Sequence, residues 1–374
     1  MTQSDWVPSN DGKLYFFNFS PWRMMMLEPF FDAPGNEKHI CKDLEDALSK
    51  GMDARSKIFI FGALPFERLE AYAQEHGIAK YRIEDALIRS VALGSGFARP
   101  YSLIIDSRGV YFDPRQISDL EWMLQNGTYE PELIERARQL RRKIVTSRLS
   151  KYNHLQHKPI EIDRDRYPKV ILVVGQVEDD MSIIHGAFGM TNEDLLVSVR
   201  ENNPEAYLIY KPHPDVLSGN RKGHIDPQIT ERNADAVLTD VSIDSCIDVA
   251  DEVHTLTSGS GFDALLREKK VFTYGMPFYA GWGLTEDQRT CERRTRRITL
   301  DELVAATLIF YPRYISPRTL TPCEPEQMID ELITERKRYE EDRLYRSWMQ
   351  VRGYLLPRIR RGIRGVLRPF GLKI

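Results

Sequence analysis

The chain has 374 residues, 42% of them hydrophobic, with 52 Lys and Arg against 55 Asp and Glu, for a formal net charge of -3. That length suggests two domains, the apolar fraction suffices for ordinary globular cores, and a mean hydropathy of -0.43 argues against an integral membrane protein. The near-balanced charge gives no global field for nucleic acid, no apolar run is long enough to span a bilayer, and Met1 to Trp6 has no basic or apolar leader.

Along the first half, short apolar runs at 14–19, 57–61, 102–106 and 110–112 are expected as strands, separated by helical patterns such as 65–76. A charged helix is expected at 131–149, with Pro131 at its first turn. The polar, aperiodic stretch 151–168 with its two prolines reads as a linker after a domain of residues 1–150. The second half restarts at 169–175 with a continuous β-branched run of the kind a buried parallel strand requires. A helix at 192–202, strands at 206–211, 236–238, 252–256 and 270–274, and a helix at 261–268 follow. This alternation implies a parallel sheet with helices on both faces, spanning 169–320, with a helix at 321–350 and a tail at 351–374. The expected class is α/β, with two Rossmann-like domains facing a central cleft and ligands at the carboxyl ends of the strands. Four cysteines, Cys41, Cys246, Cys291 and Cys323, form neither a CxxC pair nor a disulfide framework, so a reducing cytoplasm is expected.

The tail 351–374 holds seven basic residues and no acidic one, interleaved with Leu355, Leu356, Ile359, Ile363, Val366, Leu367 and Phe370. It reads as a basic amphipathic segment lying on anionic lipid. The alternative is a disordered basic tail, since Pro357, Pro369 and four glycines oppose a helix.

Chemistry is sought in the loops that follow strands. Gly175-Gln176-Val177-Glu178-Asp179-Asp180 crowds three carboxylates at a strand end; the plainer reading is a solvated turn or an acidic N-cap for a helix near Met181. Lys211-Pro212-His213-Pro214 fixes a histidine beside a lysine, where either can donate to a phosphate oxygen. Thr257-Ser258-Gly259-Ser260-Gly261 leads into a helix, so backbone N–H groups and two hydroxyls could meet a phosphate, although an ordinary helix N-cap looks the same. The aromatic and glycine residues from Gly275 to Gly283 suit a sugar or base platform, or else an ordinary packed loop. In the first half, Glu84-Asp85 could supply a general base, or form a surface acidic pair with Arg89. No metal-ligand spacing is present in these segments.

Taken together, these segments resemble the bacterial capsule-polysaccharide β-Kdo transferases of the KpsC type. The resemblance runs over roughly 55–320 and includes Arg82 through Ser95, Gly175 through Ile183, Lys211 through Pro214, Glu252 through Ser258, Gly261 through Leu266, Thr273 through Thr285, Leu300 through Thr307 and Tyr311 through Tyr314. Ala86 and Asp263 stand where relatives more often have Gly and Glu, and the chain has motifs for one catalytic module where KpsC-type enzymes often have two. The resemblance implies a glycosyltransferase-B fold, CMP-Kdo as donor, no required metal, and a glycan or glycolipid acceptor of capsule or O-antigen type. It further implies a retaining double displacement in which Asp180 is the nucleophile, Glu84 the base and Asp85 the second candidate. Lys211, His213, Pro214, Ser258, Ser260, Gly261 and Gln176 would hold the CMP-sugar. A cytoplasmic enzyme, peripheral on the inner membrane through 351–374, follows. Transfer of another CMP-linked keto sugar of sialic acid type is the alternative activity, and a non-catalytic nucleotide- or glycan-binding assembly factor the alternative class.

Overall fold

The computed structural model describes residues 12–33, 35–91, 98–151, 157–219, 221–349 and 351. The chain divides into two compact units, one of Met1–Val110, Leu149–His154 and Thr307–Ile374, the other of Tyr111–Arg148 and Leu155–Ala306.

The first unit runs β1 (Lys13–Phe17), α1 (Pro21–Leu27), β2 (Glu37–Cys41), α2 (Leu44–Ser49), β3 (Lys57–Phe61), α3 (Glu67–Glu75), β4 (Ala79–Asp85) and β5 (Ser102–Asp106). Its six strands lie in the order β12-β5-β4-β3-β1-β2, where β12 is Pro312–Tyr314, returning antiparallel to β5. The β1 run is apolar at nearly every position because both faces are covered. Leu14 and Phe16 join Phe59, Ile83 and Leu103 on one side. Tyr15 and Phe17 join Ile58, Ile60, Leu69 and Ala73 on the other. β4 escaped the sequence reading because it alternates: Ile83 enters the core, while Lys80 and Arg82 pair with Glu70 of α3.

The second unit runs α4 (Asp119–Asn126), α5 (Pro131–Thr146), β6 (Val170–Val174), α6 (Met181–Gly186), α7 (Asn192–Asn202), β7 (Tyr207–Lys211), α8 (Pro214–Leu217), α9 (Pro227–Asn233), β8 (Ala236–Val237), α10 (Ile243–Val249), β9 (Glu252–Thr255), α11 (Gly259–Leu266), β10 (Lys270–Thr273), β11 (Glu286–Asp287) and α12 (Leu300–Val304). All pairings in its sheet are parallel, in the order β11-β10-β9-β6-β7-β8. β6 is buried on both faces, with Ile171 and Val173 against Leu195, Leu196 and Val199 of α7. After α12, a turn of π-helix (Ala305–Phe310) leads to β12 and then to α13 (Pro325–Glu341).

Three expectations change. Residues 110–112 are not a strand: the Asp106 carboxylate accepts the N–H groups of Arg108 and Gly109 and turns the chain, and Tyr111 packs edge-on to Phe278. The domain boundary near 150 gives way to an exchange of segments. α4 and α5 belong to the second unit, because Glu121 pairs with Arg293 and Arg294 while Asp301 of α12 takes Arg138 and Arg141 of α5. β12, expected in the second domain, completes the first sheet. Residues 157–168 of the 151–168 linker are fastened to the second unit through the Lys158 N–H and the His157 ring, both on Ser245, and through Arg164 with Asp251. The tail reading falls on 352–374, outside the described residues.

Candidate active site

In the second sheet β7 lies on one side of β6 and β9 on the other, so the winding reverses at the carboxyl ends of β6 and β9. Open parallel sheets bind ligands at such a reversal. Gln176, the second residue after β6, spans it. Its Nε2 donates to Thr257 Oγ1 at 3.1 Å, and its Oε1 accepts the Thr257 N–H at 2.8 Å and the Thr255 hydroxyl at 3.4 Å. The Gln176 backbone is held by the fully buried Asn192 at the start of α7, which accepts its N–H at 2.8 Å and donates to its carbonyl at 2.7 Å. Gly175 is required here, since an added Cβ would stand 2.5 Å from the Tyr210 hydroxyl.

The three carboxylates of this loop separate. Glu178 turns to the N-terminus of α7 and accepts the Asn192 N–H at 2.9 Å. Asp179 pairs with Arg221 at 3.0 Å; burial would raise its pKa, but the hydrogen bond and charge of Arg221 outweigh that and hold it below the usual carboxylate range. Asp180 is the exposed N-cap of α6, with Oδ1 accepting the Ser182 N–H at 3.0 Å and the Ser182 hydroxyl at 2.8 Å. The N-cap reading of the loop is therefore the geometry observed. It leaves the Asp180 carboxylate at the solvent edge of the strand-end loops.

His213 follows β7 and caps α8, with Nδ1 accepting the Asp215 N–H at 3.2 Å. An acceptor Nδ1 assigns the proton of the neutral ring to Nε2, which is then a donor. Pro214 opens α8, where its missing N–H costs nothing. Lys211 is buried, and its ammonium donates to the Thr239 carbonyl at 2.9 Å; burial lowers its pKa, partly opposed by Cys246 and Asp240. It ties β7 to the loop after β8.

Ser258 is the N-cap of α11, accepting the Ser260 N–H at 3.1 Å, and its own N–H donates to Thr255 Oγ1 at 3.2 Å. At Gly261 an added Cβ would lie 2.0 Å from the hydroxyl of Tyr279. That hydroxyl donates to the Ser258 carbonyl at 2.6 Å, so the glycine admits the ring that fixes the cap. The aromatic segment is a packed loop, not an open platform. Phe278, Tyr279 and Trp282 are buried, and the Trp282 indole donates to the Phe278 carbonyl at 2.9 Å. Beneath it, buried Arg294 donates to the carbonyls of Pro277 and Ala280 and pairs with buried Glu121 at 3.0 Å. Gly186 at the end of α6 accepts the Met276 N–H at 2.8 Å, joining the loops after β6 and β10.

In the first unit Glu84 and Asp85 are the last residues of β4 and so project to opposite faces. Asp85 is engaged by Arg89 at 2.8 Å, the ion pair weighed from the sequence. Glu84 Oε1 accepts the Asp85 N–H at 3.1 Å, and its Oε2 lies 3.9 Å from where a Cβ on Gly62, just past β3, would stand. Thus Gln176, Asp180, His213, Ser258, Ser260 and Gly261 all lie on the carboxyl-end side of the second sheet, where Gln176 is bonded to the loop after β9; Glu84 sits at a strand end of the first, and Lys211 and Asp85 are committed to structural partners. The sequence reading missed Asn192, Thr255, Glu121 and Arg294. Asn192 carried a faint signal, as an amide opening a helix; Glu121 and Arg294 are set by long-range pairing, and Thr255 by its bonds to Gln176 and Ser258. Among the described residues no group of three or more His, Cys, Asp or Glu side chains is placed to hold a metal ion, and no helix is long and apolar enough to cross a membrane.

A model of the capsule polysaccharide biosynthesis protein family matches residues 65–314. The capsule polysaccharide modification protein LipA of Neisseria meningitidis serogroup A is 42% identical over 326 residues, 87% of this chain and 46% of LipA. The lipopolysaccharide-processing protein LpsZ of Rhizobium meliloti is 42% identical over 282 residues, 74% of this chain and 64% of LpsZ. The chain thus spans about half the length of LipA and under two thirds of LpsZ. Two solved structures of Thermosulfurimonas dismutans KpsC, a β-Kdo 2,7 transferase and a β-Kdo 2,4 transferase, are each 32% identical, with TM-scores of 0.69 and 0.72. They cover 86% and 85% of this chain and 99% and 97% of their own. The fold class is the expected one, α/β with two Rossmann-like domains of the glycosyltransferase-B type. The chain belongs to the capsule polysaccharide biosynthesis protein family, as a member of its KpsC type.

Proposed function

We propose that the chain is a glycosyltransferase that moves Kdo from CMP-Kdo to a capsule, O-antigen or related surface-glycan acceptor, with retention of the β configuration. The observation that carries this reading is the reversal point of the second sheet, where Gln176 fastens the Asp180 loop to the Ser258 cap of α11. The likeness to both KpsC transferases over nearly their whole length supports it.

In this reading a carboxylate oxygen of Asp180 attacks the anomeric carbon as the bond to the CMP phosphate oxygen breaks, and CMP leaves with the electron pair. His213 Nε2–H and the Ser258 and Ser260 donors offset the charge that develops on the phosphate. The inverted glycosyl ester is then attacked by an acceptor hydroxyl, whose proton passes to Glu84 as Asp180 is released. Two inversions give net retention. Bonds from Ser182 to Asp180 Oδ1 orient the carboxylate. No metal takes part, so transfer persists in EDTA. The enzyme works in the cytoplasm against the inner membrane, with residues 351–374 on anionic lipid.

The test is incubation of purified protein with CMP-Kdo and synthetic Kdo- or hexose-terminated acceptors, with product anomericity read by NMR. CMP release and a β-linked product are expected, with CMP-sialic acid inert. An α-linked product, or no CMP release, overturns the reading.

A further inference from the structure

α13 ends at Asp342, whose carboxylate accepts the N–H groups of Leu344 and Tyr345, both at 3.0 Å, and so caps a second helix over 343–349. This helix is seated by its polar side. The Tyr345 hydroxyl donates to Glu335 at 3.3 Å under the Arg338 guanidinium, and Arg346 donates to the carbonyls of Tyr339 and Glu340. Met349 is half-buried with them. Leu344, Trp348 and, beyond this helix, Val351 are 84%, 55% and 53% exposed, and the Trp348 ring stacks on the Tyr345 ring with centroids 6.1 Å apart. Their spacing of four and three residues puts them on one stripe of a helix. An amphipathic surface helix ordinarily turns its apolar stripe to the core; this one turns it to solvent.

We propose that the Leu344–Trp348–Val351 stripe is a docking face for an anionic lipid bilayer. Charge complementarity selects that occupant. Residues 352–374 follow in the sequence, with seven basic side chains and no acidic one. A second copy of so cationic a segment would repel itself, whereas anionic headgroups attract each Lys or Arg. Trp348 is the residue type that settles at headgroup depth. The apolar stripe supplies insertion and the basic tail supplies attraction, the two signals that stable peripheral anchoring takes. This rests on the reading of the tail as membrane-facing, and adds that the contact begins within the folded chain.

The test is flotation of full-length protein with phosphatidylcholine vesicles with and without phosphatidylglycerol. Three proteins are compared: wild type, the triple variant Leu344→Ser, Trp348→Ser, Val351→Ser, and a tail variant with Arg358, Arg360, Arg361 and Arg364 changed to Gln. Thermal melts and CMP release from CMP-Kdo verify the fold of each. Wild type floats with the anionic vesicles only, and each variant loses about tenfold or more of its partitioning. If the triple variant floats like wild type while the tail variant does not, the stripe is overturned and the tail reading stands. If wild type does not float with anionic vesicles, both fall. If sedimentation velocity shows wild type as a dimer that the triple variant dissociates, with flotation unchanged, the stripe is a contact between copies and the proposal is overturned.

Discussion

Asp180, the proposed nucleophile, is also a helix cap, and substitution to Asn separates the proposed role from the observed one. As the N-cap of α6 it accepts two hydrogen bonds from Ser182. Asn ranks with Asp as a cap, so Asp180→Asn costs a few tenths of a kcal/mol, with about 0.3–1 kcal/mol more for the charge lost at the helix end. Asp180→Ala removes the cap and costs about 1 kcal/mol, which for a unit of this size lowers the melting temperature by about 2–4 °C. If capping were the whole role, activity would follow stability, with Asn near wild type and Ala mildly impaired. A nucleophile gives another order: both variants lose about 10³-fold or more in initial rate, and Asn loses it with its fold intact. Initial rates of Kdo transfer by chromatography, set beside thermal melts of the same samples, decide the matter. An Asn variant within tenfold of wild type refutes the assignment.

Gly261→Ala, which drives a methyl into the Tyr279 hydroxyl, should destabilise by about 1–3 kcal/mol, whereas Gly259→Ala, with nothing within 4 Å, should melt at or above wild type. His213→Asn keeps a side-chain oxygen for the Asp215 N–H but removes the Nε2 donor, so the fold should survive while KM for CMP-Kdo rises about tenfold in steady-state kinetics. Glu252 is held at about 2 against an ordinary 4.5, first by the hydrogen bond from His254 and then by Lys169, with burial opposing. Its depressed value stabilises the fold above pH 4.5, and that contribution disappears as pH falls toward 2, because the unfolded chain takes up a proton the folded chain refuses. Denaturant melts across this window should therefore show a flatter acid limb for Glu252→Gln, and an unchanged limb would contradict the pairing.

Strands buried on both faces announced themselves: 57–61 and 102–106 coincide with β3 and β5, and the run at 169–175 is β6 with one or two residues to spare. β2 was hidden because it is the sheet's edge, where Glu37, Lys38 and His39 face solvent or charged partners and no apolar run is needed. The boundary near 150 misled because the segment exchange rests on Glu121, Arg294 and Asp301, ion pairs formed across more than 150 residues of chain. Strand-end loops gave the candidate residues, since parallel topology brings carboxyl ends together whatever the loops contain. Their division of labour was not legible. Lys211 looked like a phosphate ligand and is a tie to Thr239, and the aromatic segment looked like a platform and is a packed floor. In both cases burial, which composition does not encode, made the difference.

The central claim is a covalent bond between Kdo and Asp180. Intact-mass analysis of protein quenched in acid after incubation with CMP-Kdo alone should show an adduct of one Kdo residue, with peptide mapping placing it on Asp180 and Asp180→Asn abolishing it. An adduct mapped to another side chain, or an unmodified protein that still makes β-linked product, would contradict the account.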